Sequence, residues 1–295
     1  MVDTGEDASD PFVRLYRTAS NIRYHCDAAD VVALLCLNTA KRGGASRIVS
    51  SVSVFNELAK RRPDLVARLF EPFHLDIRDE DGVLAAVDQM VGRHGQIHGL
   101  VNNAGGQFPA ALEDISIRGW EAVVRNNLTG GFLMSREVFK QSMKQAGEGA
   151  IVNITADHWR GMPDMGHSGA ARGGMENFTM TAAAEWGRYG VRVNSVAPGW
   201  VASSGFDTYD EEYKAILRSL PAQIPLGRLG RESEVAGAVT FLLSPAAAFV
   251  SGSCIRVDGA APNYPRNHTL PEGRGNAPFD GFHREHLPRA LTEDD

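Results

Sequence analysis

The sequence predicts an α/β fold in which helices cover both faces of a doubly wound parallel sheet. Composition is the first observation: 295 residues, 43% hydrophobic and 22% charged, are typical of a globular chain with a large core. The second is a regular alternation, from Glu80 onward, of segments with helical spacing and short apolar runs. Such alternation predicts parallel strands whose ligands bind beyond the carboxyl ends.

The elements follow one another in a fixed order. Apolar residues at helical spacing predict helices over residues 82–92, 118–144, 168–188 and 231–243. Apolar and β-branched runs predict strands over residues 46–55, 73–77, 97–101, 150–155, 191–196 and 253–257. The chain after Pro262 is rich in proline, glycine and histidine, and we interpret it as a surface arm. The predicted parts are therefore 1–75, 76–262 and 263–295.

Charge, hydropathy and cysteine usage exclude several classes of partner. The net charge of −6 provides no basic field for a nucleic acid. The longest apolar runs, such as residues 31–37, fall short of the roughly 20 residues that span a membrane. The acidic N-terminus does not resemble a secretory signal, and three cysteines form no disulfide framework. We expect a cytoplasmic protein that acts on a small-molecule substrate.

Four segments, in this order along the chain, resemble motifs of the short-chain dehydrogenase/reductase family over about residues 76–262. They are Asn102-Asn103-Ala104-Gly105 at a strand end, Asn126-Asn127-Leu128 on a helix, residues 192–199 (R-V-N-S-V-A-P-G) along a strand, and Val257-Asp258-Gly259. The segments His167 to Arg172 and Glu185-Trp186 are most similar to enoyl-CoA and dienoyl-CoA reductases and to citronellol-type dehydrogenases.

The resemblance implies a Rossmann-like sheet, an NADP or NAD cofactor, and association into a homodimer or homotetramer through the two longest helices. It implies catalytic roles for Asn127, Ser168, Arg172 and Thr155, although Ala156 could equally occupy the family's serine position. It also implies cofactor contacts from Asp76, Asn103, Ala104, Gly105, Arg172, Pro198, Gly199 and Val201. Asp76 would meet the adenine, and Pro198, Gly199 and Val201 would lie against the nicotinamide.

The family's usual Y-x-x-x-K motif is missing, and this changes the expected chemistry. Ser168 takes the tyrosine position and Arg172 the lysine position, four residues apart and so on one helix face. An unassisted serine is a weak acid, and an arginine keeps its proton, so this pair does not favour plain alcohol oxidation. Reduction of a conjugated thioester needs only hydrogen-bond donors at the enolate oxygen and a later proton. His158 is a candidate donor of that proton, and an exposed loop histidine is the alternative.

The N-terminal part departs from the family because no T-G-x-x-x-G-x-G motif is present to hold a pyrophosphate. Residues 12–78 instead resemble taurine dioxygenase-type iron and 2-oxoglutarate dioxygenases, on Tyr24-His25-Cys26-Asp27 and on Gly43-Gly44. In that interpretation a partial jelly-roll-like segment, joined by gene fusion, replaces the first strand and the glycine-rich turn.

Within that resemblance His25 and Asp27 are two vestigial ligands of an iron triad whose third ligand is missing, so we expect Fe(II) to bind poorly. Three functions remain open. The chain is an enoyl-CoA reductase or a terpenoid alcohol dehydrogenase, or an inactive fusion remnant that keeps the oligomer surface, or, least favoured, a dioxygenase.

Overall fold

The architecture is known from a computed structural model, in which the described residues are 75–203, 206, 211–263, 275–279 and 291. Four strands form a parallel sheet in the order β1, β2, β3, β6. They are β1 (Gly99–Asn102), β2 (Gly149–Ile154), β3 (Val191–Pro198) and β6 (Cys254–Val257). This confirms the predicted Rossmann-like sheet, and the four predicted strands from residue 97 onward lie within two residues of the observed ones.

The helices also follow the predicted order. They are α1 (Glu80–His94), α2 (Ile117–Val124), α3 (Gly130–Val138), α4 (Lys144–Ala146), α5 (Gly166–Trp186), α6 (Glu211–Ser219) and α7 (Glu232–Leu243). No helix among the described residues has the length and apolar character that crossing a membrane requires. One prediction is wrong in its described part: residues 75–77 are not a strand, because the Asp79 amide donates to the Asp76 carbonyl and closes a turn.

The sheet buries both of its faces, which explains why its strands are nearly continuous apolar runs. On one face Leu100, Ile151 and Val193 pack against α1, α3 and α5. On the other face Val152 and Val196 pack against α7. Neighbouring residues of a strand point to opposite faces, so each strand contributes to both cores.

Helices α2, α3 and α4 form one continuous helix interrupted by two π turns, Arg125–Thr129 and Phe139–Met143. The backbone stays in the right-handed helical region at each junction, so the chain does not leave the helix. A π turn adds a residue to the turn and rotates the side chains around it, and such turns are frequent at functional sites. The first of these turns carries Asn127.

A small third core lies after β3 and was not predicted. It contains two short parallel strands, β4 (Val201–Ala202) and β5 (Gly230–Arg231), which pair with each other. Helix α6 and a 3₁₀ turn lie between these strands along the chain. Its buried side chains are Ala202, Phe206, Leu217, Leu220, Ile224 and Leu229. Two-residue strands are too short to produce a recognisable alternation, so the sequence gives no signal for them.

A line of buried side-chain hydrogen bonds ties the sheet to α5. The Asn102 amide donates to Asn153 Oδ1 at 2.7 Å, and the Asn153 amide donates to Thr179 Oγ1 at 2.8 Å. The Thr179 hydroxyl in turn donates a hydrogen bond to the Met175 carbonyl at 2.9 Å. Asn153 is therefore the centre of a fully satisfied polar chain inside an apolar layer, where an unmatched group is costly.

Replacing Asn153 with alanine removes a partner from both Asn102 and Thr179. We expect this to lower the free energy of unfolding by about 2–4 kcal/mol, because each buried polar group left unpaired costs about 1–3 kcal/mol. Urea denaturation followed by circular dichroism measures the change. The matched control is Asn177→Ala on the exposed side of α5, which should stay near the parent stability. Equal stability of the two variants would contradict this account.

Candidate active site

The carboxyl ends of the four parallel strands gather the residues that the sequence singled out. Asn103, Ala104 and Gly105 follow β1, and Thr155 follows β2. Pro198 ends β3, with Gly199 directly after it. In open α/β sheets this edge is where ligands bind.

Asn127 holds the loop that leaves β1. Its Oδ1 accepts a hydrogen bond from the Gly106 amide, and its Nδ2 donates one to the Gly106 carbonyl, both at 2.9 Å. The side chain is only 2% exposed. A Cβ atom at Gly105 would lie 2.7 Å from Asn127 Oδ1, so only glycine fits there. In this structure Asn127 therefore fixes loop geometry.

Arg172 lies on the other side of Gly105. Its Nη1 donates to the Ile154 carbonyl at 2.7 Å, and its Nη2 lies 2.4 Å from where a Gly105 Cβ would be. Its Nε is buried and has no hydrogen-bond partner. Burial lowers the pKa of the guanidinium to about 10, so it remains charged at neutral pH. Among the described residues no carboxylate pairs with this cation, which therefore favours an anionic or hydroxyl ligand.

Ser168 is present at the predicted position but is covered. Its side chain is 0% exposed, and its hydroxyl donates to Gln107 Oε1 at 2.5 Å. Gln107 itself is exposed, so a ligand entering the edge of the sheet meets the Gln107 amide before it meets Ser168. The sequence reasoning missed Gln107, because a single glutamine after a glycine pair carries no recognisable spacing signal.

Thr155 and His158 follow β2 and differ in their environments. The Thr155 hydroxyl is 3% exposed and donates to the Val196 carbonyl at 3.3 Å, so it is already bound within the sheet. His158 Nε2 lies 3.2 Å from Glu176 Oε2 on α5, while its Nδ1 is buried and has no hydrogen-bond partner. His158 packs against Gly173, next to Arg172, where a Cβ would come within 2.9 Å of its ring. It is thus not an exposed loop histidine.

Several charged groups surround this histidine. Glu176 faces it from α5, and Asp157 precedes it in the chain. Burial and the neighbouring Asp258 raise the pKa of the Asp157 carboxyl above its ordinary value, against the opposing effect of Arg256. The sequence could not show that Glu176 meets His158, because the two residues belong to different elements.

The remaining cofactor-side residues lie at two ends of the edge. Asp76 and Arg78 form an exposed ion pair at 2.7 Å, whose hydrogen bonds lower the pKa of Asp76 to about 2. Gly199 lies so close to the next strand end that a Cβ would be 2.8 Å from the Asp258 Cα. Val201 belongs to β4 and pairs with Gly230.

Two residues of the R-V-N motif prove to be structural. Arg192 donates to the Leu242 carbonyl at 2.8 Å and so caps the end of α7. The Asn194 side chain accepts from the Ser253 amide and donates to the Val250 carbonyl. The motif is informative about the fold because it locks β6 and α7 onto β3.

The predicted metal ligands His25 and Asp27 lie outside the described residues. Within the described part of the chain, no group of three histidine, cysteine, aspartate or glutamate side chains could hold a metal ion. The iron site therefore stays a prediction.

Comparison with known proteins supports the reductase resemblance. The family model described as enoyl-(acyl carrier protein) reductase matches residues 28–260. A probable 2,4-dienoyl-CoA reductase of Bacillus subtilis is 35% identical over 190 residues, which cover 63% of this chain and 74% of that protein.

Solved structures give the same assignment. A citronellol catabolism dehydrogenase of Pseudomonas aeruginosa is 57% identical, with a TM-score of 0.55 and coverage of 63% of this chain and 71% of the other. A gluconate 5-dehydrogenase of Burkholderia cenocepacia, in complex with NADP and tartrate, is 33% identical, with a TM-score of 0.60 and coverage of 64% and 74%. The chain belongs to the short-chain dehydrogenase/reductase family of NAD(P)-dependent oxidoreductases.

Proposed function

We propose that this protein uses NADPH or NADH to reduce the conjugated thioester of an enoyl-CoA or dienoyl-CoA. The observation that carries the proposal is the pair at the family's tyrosine and lysine positions. Ser168 is buried, and Arg172 keeps its proton, so neither can exchange a proton with an alcohol oxygen. Reduction of a conjugated double bond asks only that negative charge on the thioester oxygen be stabilised. The similarity to a dienoyl-CoA reductase supports this choice.

The described residues fit the nicotinamide side of the cofactor. Arg172 has an unpartnered, buried Nε, and its guanidinium packs directly against Gly105. Gly199 brings the backbone after β3 against Asp258 without a side chain in between. When bound there, NADPH or NADH supplies the hydride. The family-model match includes the N-terminal segment from residue 28, in which the sequence has no glycine-rich motif.

Gln107 is the residue that we assign to the substrate oxygen. Because Gln107 Oε1 accepts a hydrogen bond from the Ser168 hydroxyl, the NH₂ group of Gln107 is the part that remains for a ligand. A fixed amide donor at a developing enolate oxygen stabilises the transition state more than the neutral thioester. In this assignment Ser168 orients Gln107, and Asn127 holds the loop that carries it.

His158 is the residue that we assign to the proton. The hydride adds to the β-carbon of the thioester, and the resulting enolate then takes a proton at its α-carbon. His158 Nδ1 has no hydrogen-bond partner, and Glu176 Oε2 lies 3.2 Å from the opposite ring nitrogen. An imidazole is the side chain best suited to donate a proton near neutral pH.

A second candidate function is the interconversion of a terpenoid alcohol and its aldehyde. The observation that favours it is the 57% identity to a citronellol catabolism dehydrogenase. In this case His158, rather than the missing tyrosine, would exchange the proton with the alcohol oxygen.

The N-terminal proposals rest on sequence alone. The His25-Cys26-Asp27 segment and the Gly43-Gly44 pair support a dioxygenase-like fragment, with a domain boundary near residue 75. If this fragment does not complete the cofactor site, the protein is an inactive fusion remnant.

The purified protein, incubated with NADPH or NADH, tests these functions together. We expect nicotinamide absorbance to fall when crotonyl-CoA or hexadienoyl-CoA is added, and to change less with citronellal. Turnover of citronellal alone would favour the terpenoid function. A folded protein that binds neither cofactor in a fluorescence titration would favour the inactive remnant.

Arg172→Met separates a cofactor-binding role from a structural one. We expect the dissociation constant for NADPH to rise at least about tenfold, because hydrogen bonds to charged groups contribute about 1.5–3 kcal/mol. The melting temperature without cofactor should stay equal or rise, since the variant removes a buried, uncompensated charge. Arg188→Met, which removes an exposed arginine beyond the end of α5, is the control and should change neither value. Tight NADPH binding by Arg172→Met would exclude the assigned role.

His158→Gln tests the assigned proton donor through kcat. We expect the variant to lose about 10²-fold in kcat, because general acid catalysis by a positioned side chain contributes a factor of this size. The exposed His98→Gln is the control and should keep the parent kcat. An unchanged kcat in His158→Gln would remove His158 from the reaction.

A further inference from the structure

Part of the chain after Pro262 packs against the third core, which is formed by residues between β3 and α7. We call residues 275–279 the strap, and the described residues between Gly199 and Arg231 the cap. Gly275 has φ of +63° and sits where a Cβ would be 3.1 Å from the Leu226 carbonyl oxygen. Leu291 packs against the cap core. The C-terminal chain therefore contacts the cap at two places.

One ion pair joins the strap, the cap and the start of α7. The Arg228 guanidinium binds Glu234 with two hydrogen bonds of 2.9 and 2.7 Å. The same guanidinium donates through Nε to the Asn276 carbonyl at 2.9 Å and to its Oδ1 at 3.2 Å. A planar guanidinium can satisfy these acceptors at once, whereas a lysine ammonium cannot reproduce the fork.

Glu234 completes the junction from the helix side. It accepts hydrogen bonds from the Arg231 amide at 2.9 Å and from the Phe279 amide at 3.4 Å. The hydroxyl of Ser233, the preceding residue, donates to the Phe279 carbonyl. The Arg228 and Glu234 side chains are 20% and 18% exposed, so water screens their attraction less than at an open surface. Their bond lowers the pKa of the Glu234 carboxyl below its ordinary value.

The cap is linked directly to the predicted nicotinamide side of the site. Gly230 donates from its amide to the Trp200 carbonyl at 2.9 Å. The pairing of β4 with β5 then places Val201 beside Gly230, two residues from Arg228. A displacement of Arg228 is therefore transmitted through one short strand pair to Val201. Arg172 and Asp76 lie on other elements and do not depend on this pair.

We propose that Arg228, Glu234 and the strap are positioning residues that fix the nicotinamide-side wall of the active site through the pairing of Val201 with Gly230. The hydrogen bonds of Arg228 and Glu234 tie the small core of the cap to α7 and to the C-terminal chain. Loosening these bonds should weaken NADPH binding. The cofactor part of this inference rests on the proposed reductase function, whereas the structural part does not.

The test uses Arg228→Lys and a chain that ends before Gly275, each in the otherwise complete protein. Hydrogen exchange of the unliganded protein should become faster in peptides covering residues 198–202 and 224–231, and stay unchanged in β1 and β2. The NADPH dissociation constant should rise about tenfold or more, which corresponds to the loss of about 1.4 kcal/mol of binding free energy. Arg136→Lys, which alters an arginine that bridges Glu80 and Glu137, is the matched control and should leave exchange in the cap unchanged.

Two results would overturn the proposal. One is unchanged exchange in the cap of both variants. The other is faster exchange throughout the sheet, which would show general destabilisation. If the wild-type protein turns over none of the substrates, the reductase function fails, but the exchange measurement still decides whether the strap anchors the cap.

Discussion

The buried guanidinium of Arg172 is the constraint to which the rest of the site is fitted. A cation held away from water costs free energy unless an acceptor compensates it, and the Ile154 carbonyl satisfies only one of its nitrogen atoms. The absence of a side chain at Gly105 lets the guanidinium pack against the loop after β1, and Asn127 holds that loop in place. The protein thus maintains an unpaired charge at the edge of a rigid sheet, where a bound ligand can complete its hydrogen bonds.

The same constraint limits the chemistry. In an active site with a tyrosine and a lysine, one side chain both binds the substrate oxygen and exchanges its proton. In the proposed reductase function the two tasks fall to different residues, because the Gln107 amide donates a hydrogen bond but no proton, and the assigned proton donor His158 lies beside Gly173. A reaction in which the hydride and the proton go to two different carbon atoms tolerates this separation. Direct oxidation of an alcohol tolerates this separation less, because the hydride leaves the carbon and the proton leaves the oxygen of the same C–O group.

Elements with long, regular patterns could be predicted from the sequence. The helix Glu80–His94 has a helical apolar periodicity, and the strand Gly149–Ile154 is a short apolar run, and neither pattern needs tertiary information to be recognised. The positions of Asn127 and Arg172 followed from family motifs. The contacts of Ser168 with Gln107 and of His158 with Glu176 could not be predicted, because each joins side chains from different elements. The cap also escaped prediction, since the pairing of β4 with β5 involves only two residues on each strand.

The sheet edge and the cap are stabilised by different interactions. The residues around Arg172 belong to β1, β2 and α5, which share the large core and the Asn102–Asn153–Thr179 hydrogen-bond chain. The cap shares none of these and is held by Arg228 and Glu234 at its base. Because a small core stabilises less than a large one, segments that move on binding come from such low-stability regions. The sheet edge around Arg172 therefore keeps its geometry when the cap, with Val201, moves.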